Sequence, residues 1–197
     1  IQGTSKASER LLKIKAMEKE LGIKKKTKTA DIAVEDVQKR IADGEVESVE
    51  DEVLKTVDAR NDLTQKITEL NSKKKTFEIL KKLPLTLDLY SGYKSVAVLV
   101  GTTVTDAAAV KIDDAEVFSS FDKKEGGVVA VFVKAAGKSK AVDALNECGF
   151  VELSVPEYTD KVSAEQACQK VDSEISEATE ALEAENKTLE ALKTKYM

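Results

Sequence analysis

The sequence predicts an α+β protein in which a long antiparallel helical coiled coil is interrupted by a small sheet-bearing lobe at its tip. Three observations carry this. Apolar residues recur at heptad spacing over residues 46–82 and again over residues 163–197. The stretch between them is rich in valine and broken by turn residues, the pattern of short strands. The chain's two prolines, Pro84 and Pro156, bracket that stretch, and proline ends regular helices and strands. The expected division is an outgoing helical arm over 1–82, a lobe over 83–160 and a returning helix over 161–197.

The first arm element is a helix over 5–21, with Leu11, Leu12, Ile14, Met17 and Leu21 on one stripe and Gly22 as its stop. Residues 24–29 (KKKTKT) read as a loop. A short helix follows over 32–41, with Ile32, Val37 and Ile41 inward and Gly44 behind it. In the long helix over 46–82, Val46, Val53, Arg60, Ile67, Lys74 and Lys81 fall at a, and Val49, Thr56, Leu63, Leu70 and Phe77 at d. Three cations at a make this an imperfect seam; either the register is displaced or the arm splays there. The returning helix is cleaner. Cys168, Ile175, Leu182, Leu189 and Tyr196 occupy a, while Ala164, Val171, Ala178, Glu185 and Leu192 occupy d. Ser163 and Gln166 have the spacing of a capping box. The alanines at d predict close approach of the partner helix.

Between the helices the predicted order is β-α-β-β-α-β: strand 95–101, short helix 105–110 with Thr105 as cap, strand 116–121, turn 123–127, strand 128–134, helix 139–147 closed by Gly149, and strand 150–155. This is the split-βαβ, ferredoxin-like arrangement. By alternation Phe118 and Phe132 share a face with Ala97, Leu99, Val128 and Ala130. The opposite face, under the lobe helices, takes Val96, Val98, Val117, Val129, Val131, Val151, Leu153 and Val155.

Composition narrows the chemistry. Of 197 residues, 34% are charged and 5% aromatic, the balance of a helix-rich arm rather than one large core. Histidine is absent, which removes the commonest general base and a frequent metal ligand. A net charge of −5 gives no bulk attraction to nucleic acid or anionic lipid. Cys148 and Cys168 form no C-x-x-C pair and read as reduced, intracellular residues. No apolar run approaches the roughly 20 residues of a membrane span. The chain starts at Ile1 rather than Met, as expected of a piece excised from a longer protein, with residues 1–3 added.

Each candidate motif has a plainer reading. Gly137-Lys138-Ser139 resembles the end of a phosphate loop, but the motif's first glycine is replaced by Phe132, so a helix start is favoured. The triplets Lys24, Lys25, Lys26 and Lys73, Lys74, Lys75 read as solvated charge, with Glu69 and Glu78 close to the second. A sheet face bearing Phe118 and Phe132 is similar to RNA-recognition modules, yet strand 127–134 lacks their basic-Gly-aromatic pattern and Glu152 falls on the face. A protein-packing face is favoured, covered by the arm or by a partner. Cys168 on the seam reads as an apolar filler. No catalytic constellation, cofactor site or metal site is evident.

The segment 83–101, LPLTLDLYSGYKSVAVLVG, resembles a recurring passage in subunit I (the subunit a family) of A/V-type ATPases. There a Leu-Asp-Leu run leads through Gly-Tyr into a strand ending in hydrophobic-Val-Gly; here these are Leu87, Asp88, Leu89, Gly92, Tyr93, Val100 and Gly101. A second similar passage runs Leu145-Asn146-Glu147-Cys148-Gly149-Phe150, then Glu152-Leu153 and Pro156, then the returning helix. The resemblance covers residues 83–192. It implies a non-catalytic stator component of a rotary, ion-translocating ATPase, placed on the cytoplasmic side of the membrane. The arm's distal lobe would anchor a peripheral stalk, a coiled-coil heterodimer, beside other stator subunits. The family's membrane domain, with its essential arginine, and the first strands of its proximal lobe are not in this sequence. No cofactor and no nucleic acid are implied. Partner contact is expected through Phe118, Phe132, Tyr90 or Tyr93; Tyr90 reads equally as a staple between arm and lobe.

Two other classes compete. A tip or hinge segment of a chromosome-organising or tethering coiled-coil protein requires self-association or salt-sensitive nucleic-acid binding; the net acidity and the missing C-x-x-C hook disfavour it. A ligand-sensing regulatory domain requires a pocket at a lobe dimer interface, and no glycine-rich loop supports one.

Overall fold

The computed structural model describes residues 2–23 and 33–196. The run 24–29 and Ile32 lie outside the described residues, as do the side chains of Val37, Ile41, Val46 and Tyr196. Five helices are described: α1 (Gln2–Glu20), α2 (Val34–Ala42), α3 (Glu45–Leu80), α4 (Lys138–Asn146) and α5 (Ala164–Tyr196). Four strands form one sheet: β1 (Val96–Thr103), β2 (Ala115–Asp122), β3 (Gly126–Lys134) and β4 (Val151–Glu152). The chain divides into two compact units. One comprises residues 1–67 and 177–197, the other residues 68–176, and α3 and α5 contribute to both.

In the first unit, Leu21, Val53, Leu189 and Leu192 form a buried cluster, with Met17, Val49 and Val57 against it. Val53, Leu189 and Leu192 stand where the heptads place them. Arg60, expected at a core site, instead lies half-buried and pairs with Glu20 of α1. Leu11 and Leu12 of the predicted α1 stripe are exposed. Apolar spacing alone marks a stripe, whereas burial needs a neighbour on that side.

In the second unit, α3 and α5 run past one another beneath the sheet. Phe77 and Leu80 are fully buried, with Leu70, Ala164, Ala167, Cys168 and Val171 around them. Burial of Leu80 and Ala167 shows the stripe widening beyond a and d. Helices covered by a sheet as well as by each other bury more than a two-position seam. Lys74 and Lys81 consequently sit at the margin, paired with Asp172 at 2.6 Å and Glu165 at 3.8 Å. The three cations therefore flank the seam. The capping box is formed reciprocally. The Ser163 N–H donates to Gln166 Oε1, and the Gln166 N–H donates to Ser163 Oγ, each at 3.1 Å.

The sheet order is β2-β3-β1-β4, with every neighbouring pair antiparallel. Strand β3 is central and buried along most of its length. Val129, Val131, Val133 and Leu99 form one core with Ala141 and Leu145 of α4. Val128, Ala130 and Val100 face α3 and α5. Three expectations need correction. The helix expected over 105–110 is a three-residue 3-10 turn, Ala107–Ala109, capped by Asp106 rather than Thr105: the Asp106 carboxylate accepts from the Ala108 N–H. The last strand is two residues long rather than six, although the Leu153 N–H still donates to the Val100 carbonyl. The faces of β1 are exchanged: Val98 pairs with Phe132 and Val100 with Ala130, so Ala97 and Leu99 lie on the α4 side.

Gly101 is required by close approach. A Cβ there would lie 2.3 Å from the Val151 carbonyl oxygen and 2.4 Å from the Phe150 ring. Gly149 ends the α4 segment at φ +69°, a conformation open to glycine, as its position after the helix predicted.

Candidate functional site

The four aromatics singled out from the sequence converge on one side of the sheet in the second unit. Phe118 of β2 and Phe132 of β3 meet edge-to-face with centroids 5.9 Å apart, and Tyr93 meets Phe132 in the same way at 6.3 Å. The geometry follows from the register. Phe118 opposes Ala130, Glu116 opposes Phe132, and opposed residues of an antiparallel pair share a face. The phenylalanines are half-buried because they pack on the core that includes Phe77 and Leu87. The face is thus covered by α3 and α5, one of the two coverings anticipated. Only its margin by Tyr93, 44% exposed, stays open.

Tyr90 closes a 3-10 turn, Leu87–Tyr90, and is buried at 8% exposure. Among the described residues its hydroxyl has no hydrogen-bond partner, and burial pushes the phenol's pKa up to about 12. The neutral ring is thus wedged in the core cluster with Phe77 and Leu87. The turn is held at the other end by the Leu87 N–H, which donates to the Val162 carbonyl at 2.8 Å.

Beside Tyr93 lies an open groove of about 580 Å3, lined by Tyr93, Val96, Ala115, Glu116, Phe132 and the Asp114–Lys134 pair. Lys134 and Asp114 are joined at 2.9 Å, which raises the lysine's pKa and lowers the carboxyl's. Asp114 takes φ +55°, a backbone setting that sequence reading missed; the preceding Asp113-Asp114 step, both turn formers, is the available signal. A second hollow of about 360 Å3 lies by the start of α4, with Lys111, Lys134, Gly137 and Lys140 among its lining. Gly137-Lys138-Ser139 opens that helix, with Gly137 as its N-cap, while Phe132 stays in the strand.

Cys148 and Cys168 are both free and buried, and burial pushes the Cys168 thiol up, away from the reactive thiolate. Among the described residues no group of His, Cys, Asp and Glu has the arrangement of a metal site. No described helix is long and apolar enough to cross a membrane.

No protein-family model matches the chain. It is 38% identical over 112 residues to the A-type ATP synthase subunit I of Archaeoglobus fulgidus, a match covering 55% of this chain and 16% of that protein. It is 30% identical over 148 residues to the A-type ATP synthase subunit I of Halobacterium salinarum, covering 73% of this chain and 19% of that protein. The chain thus spans less than a fifth of the length of these curated relatives. In fold it is similar to the cytoplasmic N-terminal domain of subunit I, homolog of subunit a, of V-ATPase. That match has a TM-score of 0.61 at 15% identity and covers 93% of this chain and 62% of that one. By sequence over more than half its length, and by fold over nearly all of it, this chain is similar to subunit I of the A- and V-type ATPases.

Proposed function

We propose that the chain is a stator piece of a rotary, ion-translocating A/V-type ATPase. In this reading residues 1–82 and 161–197 form the coiled-coil arm. Residues 83–160 form a ferredoxin-like distal lobe, whose first crossover helix has shrunk to the turn at Ala107–Ala109. The lobe anchors a peripheral stalk of paired coiled-coil subunits and resists torque on the cytoplasmic side of the membrane. The role is non-catalytic.

The observation that carries the reading is the identity to two archaeal subunit I sequences, the longer match covering 73% of the chain. The antiparallel strand order supports the lobe assignment. Ion pairs one heptad apart between α3 and α5 suit a load-bearing helix pair. Stalk contact is assigned to the aromatic margin: Tyr93 outermost, Phe132 and Phe118 behind it, and Tyr90 bracing the turn from within.

Calorimetry of the chain against the purified stalk heterodimer of the same source, at two salt concentrations, tests the proposal. Saturable one-to-one binding, weakened by Tyr93→Ala, is the expected result. Absence of binding at high protein concentration would remove the stalk-anchoring role from this piece.

A further inference from the structure

The sheet ends on β2, whose outer edge has no backbone partner among the described residues, although the turn at Ala107–Ala109 packs close to the strand. Its eight residues, AEVFSSFD, include no lysine and no proline, and the strand pairs along its whole length without a bulge. Among the described residues, no backbone hydrogen bond joins residues 115–122 to any segment but β3. The outward N–H and C=O groups of β2 therefore form a template for one more strand. Phe121, 37% exposed, stands at one end of this edge.

The other end carries chemistry that selects what binds. Glu116 shares a face with Phe132 and lines the open groove with Tyr93. Lys134, which lines the same groove, is already held by Asp114. Glu116 is thus left without an ion partner among the described residues. A carboxylate beside an exposed tyrosine ring makes a seat for a cationic side chain, which gains from both the charge and the ring face.

We propose that β2 is a strand-addition site for an extended basic segment of a partner protein. The segment's backbone pairs with residues 115–122, and an arginine or lysine seats between Glu116 and Tyr93. The cation belongs at the Glu116 end, because there a carboxylate and the Tyr93 ring line one groove. The inference refines the partner contact proposed above and rests on the stator reading only for the partner's identity.

The test uses the whole chain and a capped synthetic heptapeptide, Ser-Val-Arg-Val-Arg-Thr-Ser, followed by amide NMR and hydrogen exchange. Saturable binding that shifts and protects amides of Ala115–Asp122 is expected. Glu116→Gln, on the exposed surface, weakens it about five-fold, with backbone pairing kept. Replacing both peptide arginines by glutamate, or N-methylating its alternate amides, abolishes it. The proposal is overturned if residues 115–122 stay unchanged at millimolar peptide. It is overturned equally if the glutamate peptide binds as well, or if β2 is protected without peptide in a chain that sedimentation shows to be dimeric. Because the probe is synthetic, failure here leaves the stalk-binding result to stand or fall separately.

Discussion

Lys74 and Asp172 join α3 to α5 at 2.6 Å, and one heptad further on Lys81 meets Glu165 at 3.8 Å. Seven residues separate the lysines on one helix and the acids on the other, so the two bridges repeat a single antiparallel register. The hydrogen bond to Asp172 raises the pKa of Lys74, and the carboxylate's charge adds to it. All four side chains touch solvent, so the pairs specify alignment more than they add stability. Lys74→Glu and Asp172→Lys are each expected to lower the melting temperature by about 1–3 °C, and the double exchange to restore it. Calorimetric scans at low salt check this, and the differences should shrink in 1 M salt.

Phe77 is fully buried and meets Tyr158 edge-to-face at 5.9 Å. Phe77→Ala removes a ring from the centre of the core beneath the sheet and should cost about 3–5 kcal/mol. Phe77→Leu keeps most of the volume and should cost about 1–2 kcal/mol. Urea unfolding of the three proteins gives the comparison.

Tyr90 provides a pH test. Its phenol is held up to about 12 in the folded chain by burial, against about 10 when unfolded. Between those values the unfolded chain loses the proton while the folded chain keeps it. Folding stability through this group is therefore intact below pH 10 and falls as pH rises, by about 1.4 kcal/mol per pH unit. Tyr90→Phe should abolish that loss, so the variant gains on the parent from pH 10 to 12. At pH 7 the variant should be equal or up to about 1 kcal/mol more stable, since the buried hydroxyl has no partner to lose. Denaturant titrations at pH 7, 10 and 11 measure both effects.

Gly101→Ala forces a methyl against the Val151 carbonyl and the Phe150 ring. The expected cost is about 1–3 kcal/mol, concentrated at β4. Hydrogen exchange should report it as lost protection at Leu153, whose N–H donates to the Val100 carbonyl at 2.8 Å, with the centre of β3 little changed.

Ser163→Ala removes the Oγ acceptor of the box that starts α5 and should cost about 1 kcal/mol. Ser163→Thr should retain most of the stability. Thermal melts of both variants separate loss of the cap from loss of packing.

The features legible in the sequence are those fixed by local chemistry. Ser163 with Gln166 announces a capping box because both side chains must reach backbone three residues away, and Gly149 announces a left-handed helix end. The order of strands and of α4 follows from turn residues and runs of valine. The faces of β1 do not. Residues 96–100 read Val-Ala-Val-Leu-Val, apolar at every position, so nothing in the strand records which side meets α4. Thr105 and Asp106 are adjacent and both cap well, and only the three-residue length of the turn decides for Asp106. Lys74 and Lys81 are visible as misfits on a seam, but their acids lie some ninety residues away on another helix. Of the candidate site, Tyr93 and the phenylalanines stand out by residue type. Glu116 is conspicuous only once the register sets it beside Phe132.

Thr86 and Ser163 form an isolated antiparallel bridge, and Leu87 bonds back to Val162 beside it. The polypeptide therefore leaves α3 and rejoins α5 through one narrow neck. The enclosed residues enter and leave at the same place, so the ends of α3 and α5 stay side by side whatever the length of chain between them. Insertions at the loop tips far from this neck are therefore the changes the fold absorbs most easily, whereas the strands that cover Phe77 and Leu80 are bound to the helices by the core they share.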